Sequence, residues 1–186
     1  MRAQKQGDLD GLCGLYAIVN AIEMTGIVGP KSTFHRRLFK RLLNGLAEGE
    51  LHQAMIDGLS QDQLLDIGAR AFRSVRRSYG VRLEIEPLAD TWSPHDFVGF
   101  LDTIGDLTRQ PQTAVILNIV MPWVNHWSVV HRCNQQVLEL RDSGRLRSLA
   151  LHRFALSASS YRLGGRYTLI VRRVGGPARV RAIDLR

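Results

Sequence analysis

The sequence predicts a single α+β domain with a helical first half and a strand-rich second half. Two observations lead to this prediction. Apolar residues in the first half recur at helical spacing, whereas the second half holds short runs of β-branched residues separated by Gly, Pro, Asn and Gln. The chain has 186 residues, 45% of them hydrophobic, so it can bury a core without disulfides. We therefore expect one domain over residues 1–186.

The first predicted helix covers residues 12–25, LCGLYAIVNAIEMT. This segment is apolar nearly all round, which indicates a helix buried on most sides. Three more helices are predicted from residues that commonly begin helices. Ser32 or Thr33 begins one that ends near Leu46, Ser60 with Gln63 forms a capping box for one that ends near Tyr79, and Ser93 before Pro94 begins one that ends near Leu107.

The predicted strands form an antiparallel sheet on which the buried helix packs. Residues 133–136, CNQQ, join two strands closely enough to form a hairpin. If this turn centres on Asn134 and Gln135, residue 126 pairs with 143 and residue 127 with 142. The five predicted strands cover residues 81–85, 114–120, 126–133, 137–141 and 167–173.

The charge of the chain is concentrated near its end. Residues 141–186 hold 11 of the 25 Lys and Arg residues but only 2 of the 17 Asp and Glu residues. Such a segment could contact phosphates or an acidic protein, or form a solvated face. Nucleic acid is not an expected partner, because no known nucleic-acid-binding motif is present. No apolar run approaches the ~18 residues of a membrane span and no export signal is recognised, so we expect a cytoplasmic protein.

Cys13 lies at the predicted start of the buried helix. A thiol there faces the positive end of the helix dipole, which favours a reactive thiolate, and Gly14 would leave the approach to sulfur open. The alternative is a small, inert buried thiol. The two cysteines, Cys13 and Cys133, lack the spacing of a zinc site. They could form at most one disulfide, which is too few to hold together a fold of this size. We therefore expect neither a metal site nor another cofactor.

His126 and Asp142 supply a base and the group that orients it. His126 begins one strand of the predicted hairpin and Asp142 ends the other, so cross-strand pairing brings them side by side, ~5 Å apart at Cβ. A carboxylate there holds an imidazole in the productive tautomer. His131 and Cys133 have the opposite parity in the strand, so Cys133 is predicted to be a packing residue. No partner is apparent for the remaining histidines, His35, His52, His95 and His152.

Three motifs together resemble the papain-like cysteine peptidases, most closely the bacteriocin-processing, double-glycine branch. They are QGDLDGLCGLYAIVNA from residue 6, NHWSVV from residue 125 and DSG from residue 142. The resemblance implies a papain-like fold with Cys13 as nucleophile and His126 as general base and then acid. It also implies Asp142 as the orienting group and Gln6 as the side-chain oxyanion donor. Gln6 precedes the cysteine by seven residues where the family usually has six, so Gln4 or a backbone amide is the alternative donor.

Three functions are compatible with these residues. The leading one is a thiol endopeptidase that acts on a protein or peptide, with cleavage after Gly-Gly if Trp123, Trp127 and Tyr16 wall a narrow cleft. The same triad could serve a glutamine deamidase or transglutaminase-like acyl transferase. The third is a non-enzymatic basic binding module. The resemblance further suggests a bacterial toxin or effector that reaches a target cell's cytoplasm, with an inhibitor or immunity protein as a candidate partner.

Overall fold

The computed structural model describes residues 11–27, 33–88, 92–93, 95–144, 146–156 and 159–175. These residues form an α+β structure with one sheet whose paired strands are all antiparallel. The described helices are α1 (Cys13–Met24), α2 (Thr33–Asn44), α3 (Glu48–Ile56), α4 (Gln61–Tyr79) and α5 (Phe97–Arg109). The described strands are β1 (Arg82–Pro87), β2 (Thr113–Met121), β3 (Val124–Cys133), β4 (Val137–Arg141), β5 (Ser148–Ala150), β6 (Arg162–Leu163) and β7 (Leu169–Val174).

The helix boundaries follow the capping residues where those residues are strong. The Ser60 hydroxyl accepts from the Gln63 amide and the Gln63 side chain accepts from the Ser60 amide, so α4 begins where the capping box predicts. The prediction for α5 is wrong by three residues: Asp96, whose side chain accepts from the Gly99 amide, caps the helix in place of Ser93. Helix α3 was not predicted.

The sheet has helices on both faces and therefore two apolar cores. Its strand order is β1-β7-β2-β3-β4-β5, and β6 pairs with the far end of β2. One core lies between the sheet and α1, α2 and α4, and includes Trp127 and Val129 of β3. The other lies under α5 and includes Val130 and Leu138. No helix in the described part of the chain is long and apolar enough to cross a membrane.

The hairpin of β3 and β4 contains a bulge that changes its register. Near the turn Cys133 pairs with Leu138, whereas beyond the irregularity between Val130 and Arg132 the pairing becomes Val129 with Arg141. The predicted pairing of 126 with 143 is therefore wrong by one residue, because extending the observed register brings 128 opposite 142. The bulge also reverses the predicted parity of Cys133, which joins Val130 in the core under α5.

A buried ion pair holds helix α1 against the end of β4. The Arg141 guanidinium donates to the Glu23 carboxylate, and both side chains are almost entirely excluded from solvent. The Asn20 side chain donates to the Arg141 carbonyl oxygen at 3.5 Å. Nδ1 of His35 lies 3.8 Å from the other Glu23 oxygen. The helix that begins with Cys13 therefore contacts the residue that directly precedes Asp142.

Candidate active site

Cys13 is the first residue of α1, and it lies beside a free edge of β3. Pairing between β3 and β4 stops at Val129 and Arg141, so among the described residues no strand covers that edge of β3 before Val129. The Trp127 amide on β3 donates a hydrogen bond to Cys13 Sγ at 3.4 Å. The cysteine is only 4% exposed. Its sulfur therefore lies where a strand amide and the positive end of a helix dipole meet.

The end of α3 and the connection that follows it contact the start of α1 and β3. The Gly11 amide donates to the Met55 carbonyl oxygen of α3 at 2.9 Å, and a Cβ on Gly11 would lie 2.6 Å from the Ala54 oxygen. In the connection between α3 and α4, the Leu59 carbonyl oxygen accepts from the Trp127 indole at 2.8 Å. These contacts hold Gly11 against α3 and Trp127 of β3 against the connection.

Gly14 has a different role from the one predicted. A Cβ at this position would lie 2.8 Å from Leu64 Cδ2 and 3.0 Å from Leu59 Cδ1. Gly14 therefore faces the core and permits close packing of α1 on α4, and it does not border the approach to sulfur. The prediction placed Gly14 beside the sulfur, whereas the first turn of α1 directs this position toward Leu59 and Leu64 in the core.

His126 and Asp142 are in direct contact at the same edge of β3. The distance from His126 Nε2 to Asp142 Oδ1 is 2.5 Å. The second carboxylate oxygen accepts from the Gly144 amide at 2.8 Å. The side chains of His126 and Asp142 are 12% and 1% exposed. Because Nε2 contacts the carboxylate, Nδ1 is the ring nitrogen that stays available to the Cys13 thiol, whose interaction with His126 helps to raise the pKa of the imidazole.

The contacts of His126 stabilise its protonated form. Burial alone would lower the pKa of the imidazole, but hydrogen bonds with Asp142 and Cys13 and the charges of both groups outweigh it and raise the pKa to about 9. Burial would likewise raise the pKa of Asp142, but the hydrogen bond and charge of His126, together with the Ser128 hydroxyl and the Gly144 amide, hold it below its usual value. At neutral pH the pair is therefore an imidazolium and a carboxylate.

The other predicted site residues have different surroundings. Gln6 and Gln4, the candidate oxyanion donors, lie outside the described residues. Trp127 is buried in the core beside α1, and Tyr16 packs against Phe39 with ring centroids 4.5 Å apart. Trp123 is 71% exposed at the turn between β2 and β3. Of the three predicted cleft walls, only Trp123 offers most of its surface to a ligand.

Cys133 is a packing residue, as predicted. It is 4% exposed in the core under α5, and burial, followed by the charge of Asp102, raises the pKa of its thiol to about 11. Within the described part of the chain, no group of three or more His, Cys, Asp or Glu side chains is placed to hold a metal ion.

Ser128 is a site residue that the sequence analysis missed. It is 2% exposed, and it follows His126 by two residues on β3. The observed register extends to bring it opposite Asp142. Strand parity could have identified Ser128, because residues two apart share a face of the strand. The Leu59 carbonyl that holds the Trp127 indole gave no signal in the sequence.

A scan against protein-family models finds no match, and a search of curated proteins finds no significant one.

Proposed function

We propose that the protein is a thiol endopeptidase of papain-like fold that uses Cys13, His126 and Asp142 to hydrolyse peptide bonds of a protein substrate. The observation that supports this most strongly is the contact of 2.5 Å between His126 and Asp142 at the strand edge beside Cys13, where the Cys13 thiol also raises the pKa of the imidazole. Nucleophile, base and orienting group in hydrogen-bond reach of one another are the signature of a covalent catalytic triad.

In the proposed reaction the Cys13 proton already resides on His126, and the thiolate of this pair attacks the carbonyl carbon of the scissile bond. The C–N bond breaks as the imidazolium returns the proton to the leaving amine, which leaves a thioester on Cys13. Water, deprotonated by His126, then attacks the thioester and releases the acid product and free thiol. A pKa of about 9 keeps His126 protonated at neutral pH and so suits it to the donation step.

Asp142 orients the imidazole in this scheme. Its carboxylate accepts from Nε2, which directs Nδ1 toward the thiol. The Gly144 amide holds the second oxygen and so restricts rotation of the carboxylate. Oxyanion stabilisation is assigned to backbone amides at the start of α1, together with Gln6 as the family resemblance implies.

The experiment is mass spectrometry of a cell lysate incubated with the protein and, separately, with its Cys13→Ala variant. New peptide termini that depend on Cys13 would support proteolysis. Mass increases of about one dalton at glutamine would instead support deamidation. Absence of any Cys13-dependent product would favour the basic binding module.

The matched variants identify the residues that perform the reaction. We expect Cys13→Ala and His126→Ala to lower turnover by about 10³-fold or more, with Asp142→Ala less severe because it acts through His126. The control is Cys133→Ala, which removes the other buried thiol and should leave turnover unchanged. Full activity in the Cys13→Ala protein would refute the mechanism.

Two finer features of the proposal rest on the family resemblance. They are cleavage after a Gly-Gly pair and a role as a bacterial toxin or effector. A peptide library tests the first: replacement of either glycine before the cut by alanine should lower kcat/KM by more than about threefold.

A further inference from the structure

The polar side chain of Asn125 lies in front of the helix that begins with Cys13. Asn125 and Trp127 of β3 share the face of the sheet on which α1 packs, and two residues of strand separate their Cα atoms by about 6.6 Å. The Cys13 sulfur accepts from the Trp127 amide at 3.4 Å. Asn20, later in α1, donates to the residue of β4 that pairs with Val129. Helix α1 therefore extends along β3 away from Asn125, whose exposed side chain lies off the N-terminal end of the helix.

The Asn125 side chain is held by a buried asparagine on the neighbouring strand. Asn118 of β2 is 5% exposed, and its Nδ2 donates to Asn125 Oδ1 at 2.7 Å. Asn118 is itself closely packed: the Gly164 amide donates to its carbonyl oxygen at 2.8 Å, and a Cβ on Gly164 would lie 3.1 Å from Asn118 Cβ. Because Asn118 occupies the oxygen of the Asn125 amide, the nitrogen lies on the other side of this planar group. Asn125 Nδ2 makes no hydrogen bond with any described residue.

We propose that the Asn125 side-chain amide donates a hydrogen bond to a backbone carbonyl oxygen of the substrate close to the scissile bond, and that Asn118 is the positioning residue that keeps this donor turned outward. The donor lies two residues along β3 from the amide that contacts the Cys13 sulfur. An extended substrate advances ~3.3 Å per residue, so the bound carbonyl is about one or two residues from the scissile bond. The inference rests on the proposed function, because it treats the ligand as the substrate of Cys13.

The chemistry of this donor favours a main-chain carbonyl as its partner. The Nδ2 group of an asparagine only donates, so its partner is a hydrogen-bond acceptor. A peptide that reaches Cys13 carries its main chain past Asn125, so a carbonyl oxygen is available whatever the sequence of the substrate. Because Asn118 holds the Asn125 amide in one orientation before the substrate arrives, little side-chain freedom is lost on binding.

Two variants of nearly unchanged shape separate this role from a purely structural contact between the two asparagines. Asn125→Asp keeps the oxygen that accepts from Asn118 and removes the outward donor. Asn118→Asp can only accept, so the Asn125 amide turns over to donate to it and presents its oxygen to the substrate. Both variants keep a hydrogen bond between the two positions. A structural role therefore predicts that neither variant changes the reaction of Cys13 with a peptide.

The test measures labelling of Cys13 in a Cys133→Ala background, so it does not depend on turnover. Acetyl-Ala-Gly-Gly chloromethyl ketone and chloroacetyl-Gly-Gly-Ala-amide extend a peptide in the two directions from the sulfur, and iodoacetamide reports the reactivity of the thiolate. We expect the ratio of peptide rate to iodoacetamide rate to fall about fivefold or more in both variants for at least one peptide reagent. The control is Asn134→Asp. The Asn134 Oδ1 accepts from two backbone amides at the other end of the hairpin, so this replacement should leave the ratio unchanged.

An unchanged ratio for both peptide reagents in Asn125→Asp would overturn the proposal, as would an equal fall of the ratio in Asn134→Asp. An unchanged ratio in a folded Asn118→Asp protein would overturn the positioning role of Asn118. If Asn118→Asp does not fold, Asn125→Asp and Asn125→Ala at the exposed position decide the question, because both must lower the ratio. A lowered ratio without any Cys13-dependent product in lysate would refute the peptidase function alone. Cys13-dependent cleavage with an unchanged ratio would refute this inference alone.

Discussion

The two ring nitrogens of His126 face different groups, and this determines how the site responds to pH. Nε2 contacts the Asp142 carboxylate at 2.5 Å, which leaves the other nitrogen for Cys13, whose interaction also raises the pKa of the imidazole. The charges of both neighbouring groups, Asp142 and Cys13, stabilise the protonated imidazole. The proton is therefore retained well above the pH at which a free histidine would lose it.

We expect activity to fall on the alkaline side near pH 9. In the proposed reaction the imidazolium protonates the leaving group, and this imidazolium is lost as pH rises through the His126 pKa of about 9. Asp142→Asn keeps the shape of the side chain but removes its negative charge, so the alkaline limb of kcat/KM should move to lower pH. The measurement is kcat/KM from pH 5 to 10 for both proteins. An alkaline limb at the same pH in both proteins would show that Asp142 does not set the His126 pKa.

Helix α1 and strand β4 are joined by contacts that lie far along the helix from Cys13. Glu23 near the end of α1 accepts from the buried Arg141 side chain, and Asn20 donates to the Arg141 carbonyl. Breaking a buried ion pair by removing one partner costs about 3–5 kcal/mol because a charge stays buried alone. The same helix that presents the thiol therefore fixes the strand end that presents the carboxylate.

The packing of α1 on α4 predicts a contrast between two glycines. Gly14→Ala brings a Cβ within 2.8 Å of Leu64 and 3.0 Å of Leu59, so we expect a loss of about 1–3 kcal/mol in the free energy of unfolding. Gly49 lies on exposed α3, where an added Cβ meets nothing within 4 Å. Gly49→Ala should therefore leave stability unchanged or raise it by up to about 1 kcal/mol. Urea unfolding of the three proteins measures both effects, and equal stability of the two variants would contradict the packing.

Local signals in the sequence predicted the elements that have strong caps or continuous apolar runs. The Ser60 capping box predicts α4 because two side chains satisfy the first amides of the helix. Helix α3 has only half of such a cap: the Glu50 side chain accepts from the Ala47 amide at 2.9 Å, but Ala47 has no side-chain oxygen to accept in return. Its one buried residue is Ala54, and its Met55 carbonyl oxygen accepts from the Gly11 amide. The bulge after Val130 is likewise set by packing, which explains the one-residue register difference.

The candidate site combines local and long-range contacts, and only the local ones could be derived from spacing. His126 and Asp142 meet because one hairpin joins them. Cys13 is 114 residues from the Trp127 amide that contacts it, and no sequence period relates the two. The family resemblance supplied that connection as an expectation. Strand parity places Ser128 on the same face of the strand as His126, but Ser128 was not among the predicted site residues.

Over the whole molecule, the site lies at the free edge of one central strand and depends on both halves of the chain. The core beside α1 holds the helix that begins with Cys13 against β3, and the core under α5 supports the other face of the same strand. The site therefore forms only when the full sheet is assembled. The free energy of unfolding should therefore change with pH where the buried groups of the site ionise.

The His126 proton should make folding stability depend on pH in a defined window. The pKa is raised from 6.5 to about 9 on folding, so this contribution is fully present below pH 6.5 and is lost as pH rises through 9. Its size is at most about 3.4 kcal/mol, from about 2.5 pKa units at about 1.36 kcal/mol each. We expect the free energy of unfolding of the wild-type protein to decrease between pH 6.5 and 9.5 by more than that of His126→Gln. Urea unfolding at both pH values measures this, and parallel decreases in the two proteins would contradict it.

The central claim, that His126 activates Cys13, is tested most directly by the pH dependence of thiol alkylation. Iodoacetamide labelling is measured in a Cys133→Ala background, where Cys13 is the single thiol, with and without His126→Ala. An unassisted thiol reacts about 200-fold more slowly at pH 6 than at pH 9. The account predicts a difference below about tenfold with His126 present and about 200-fold without it. The same steep dependence in both proteins would contradict the account.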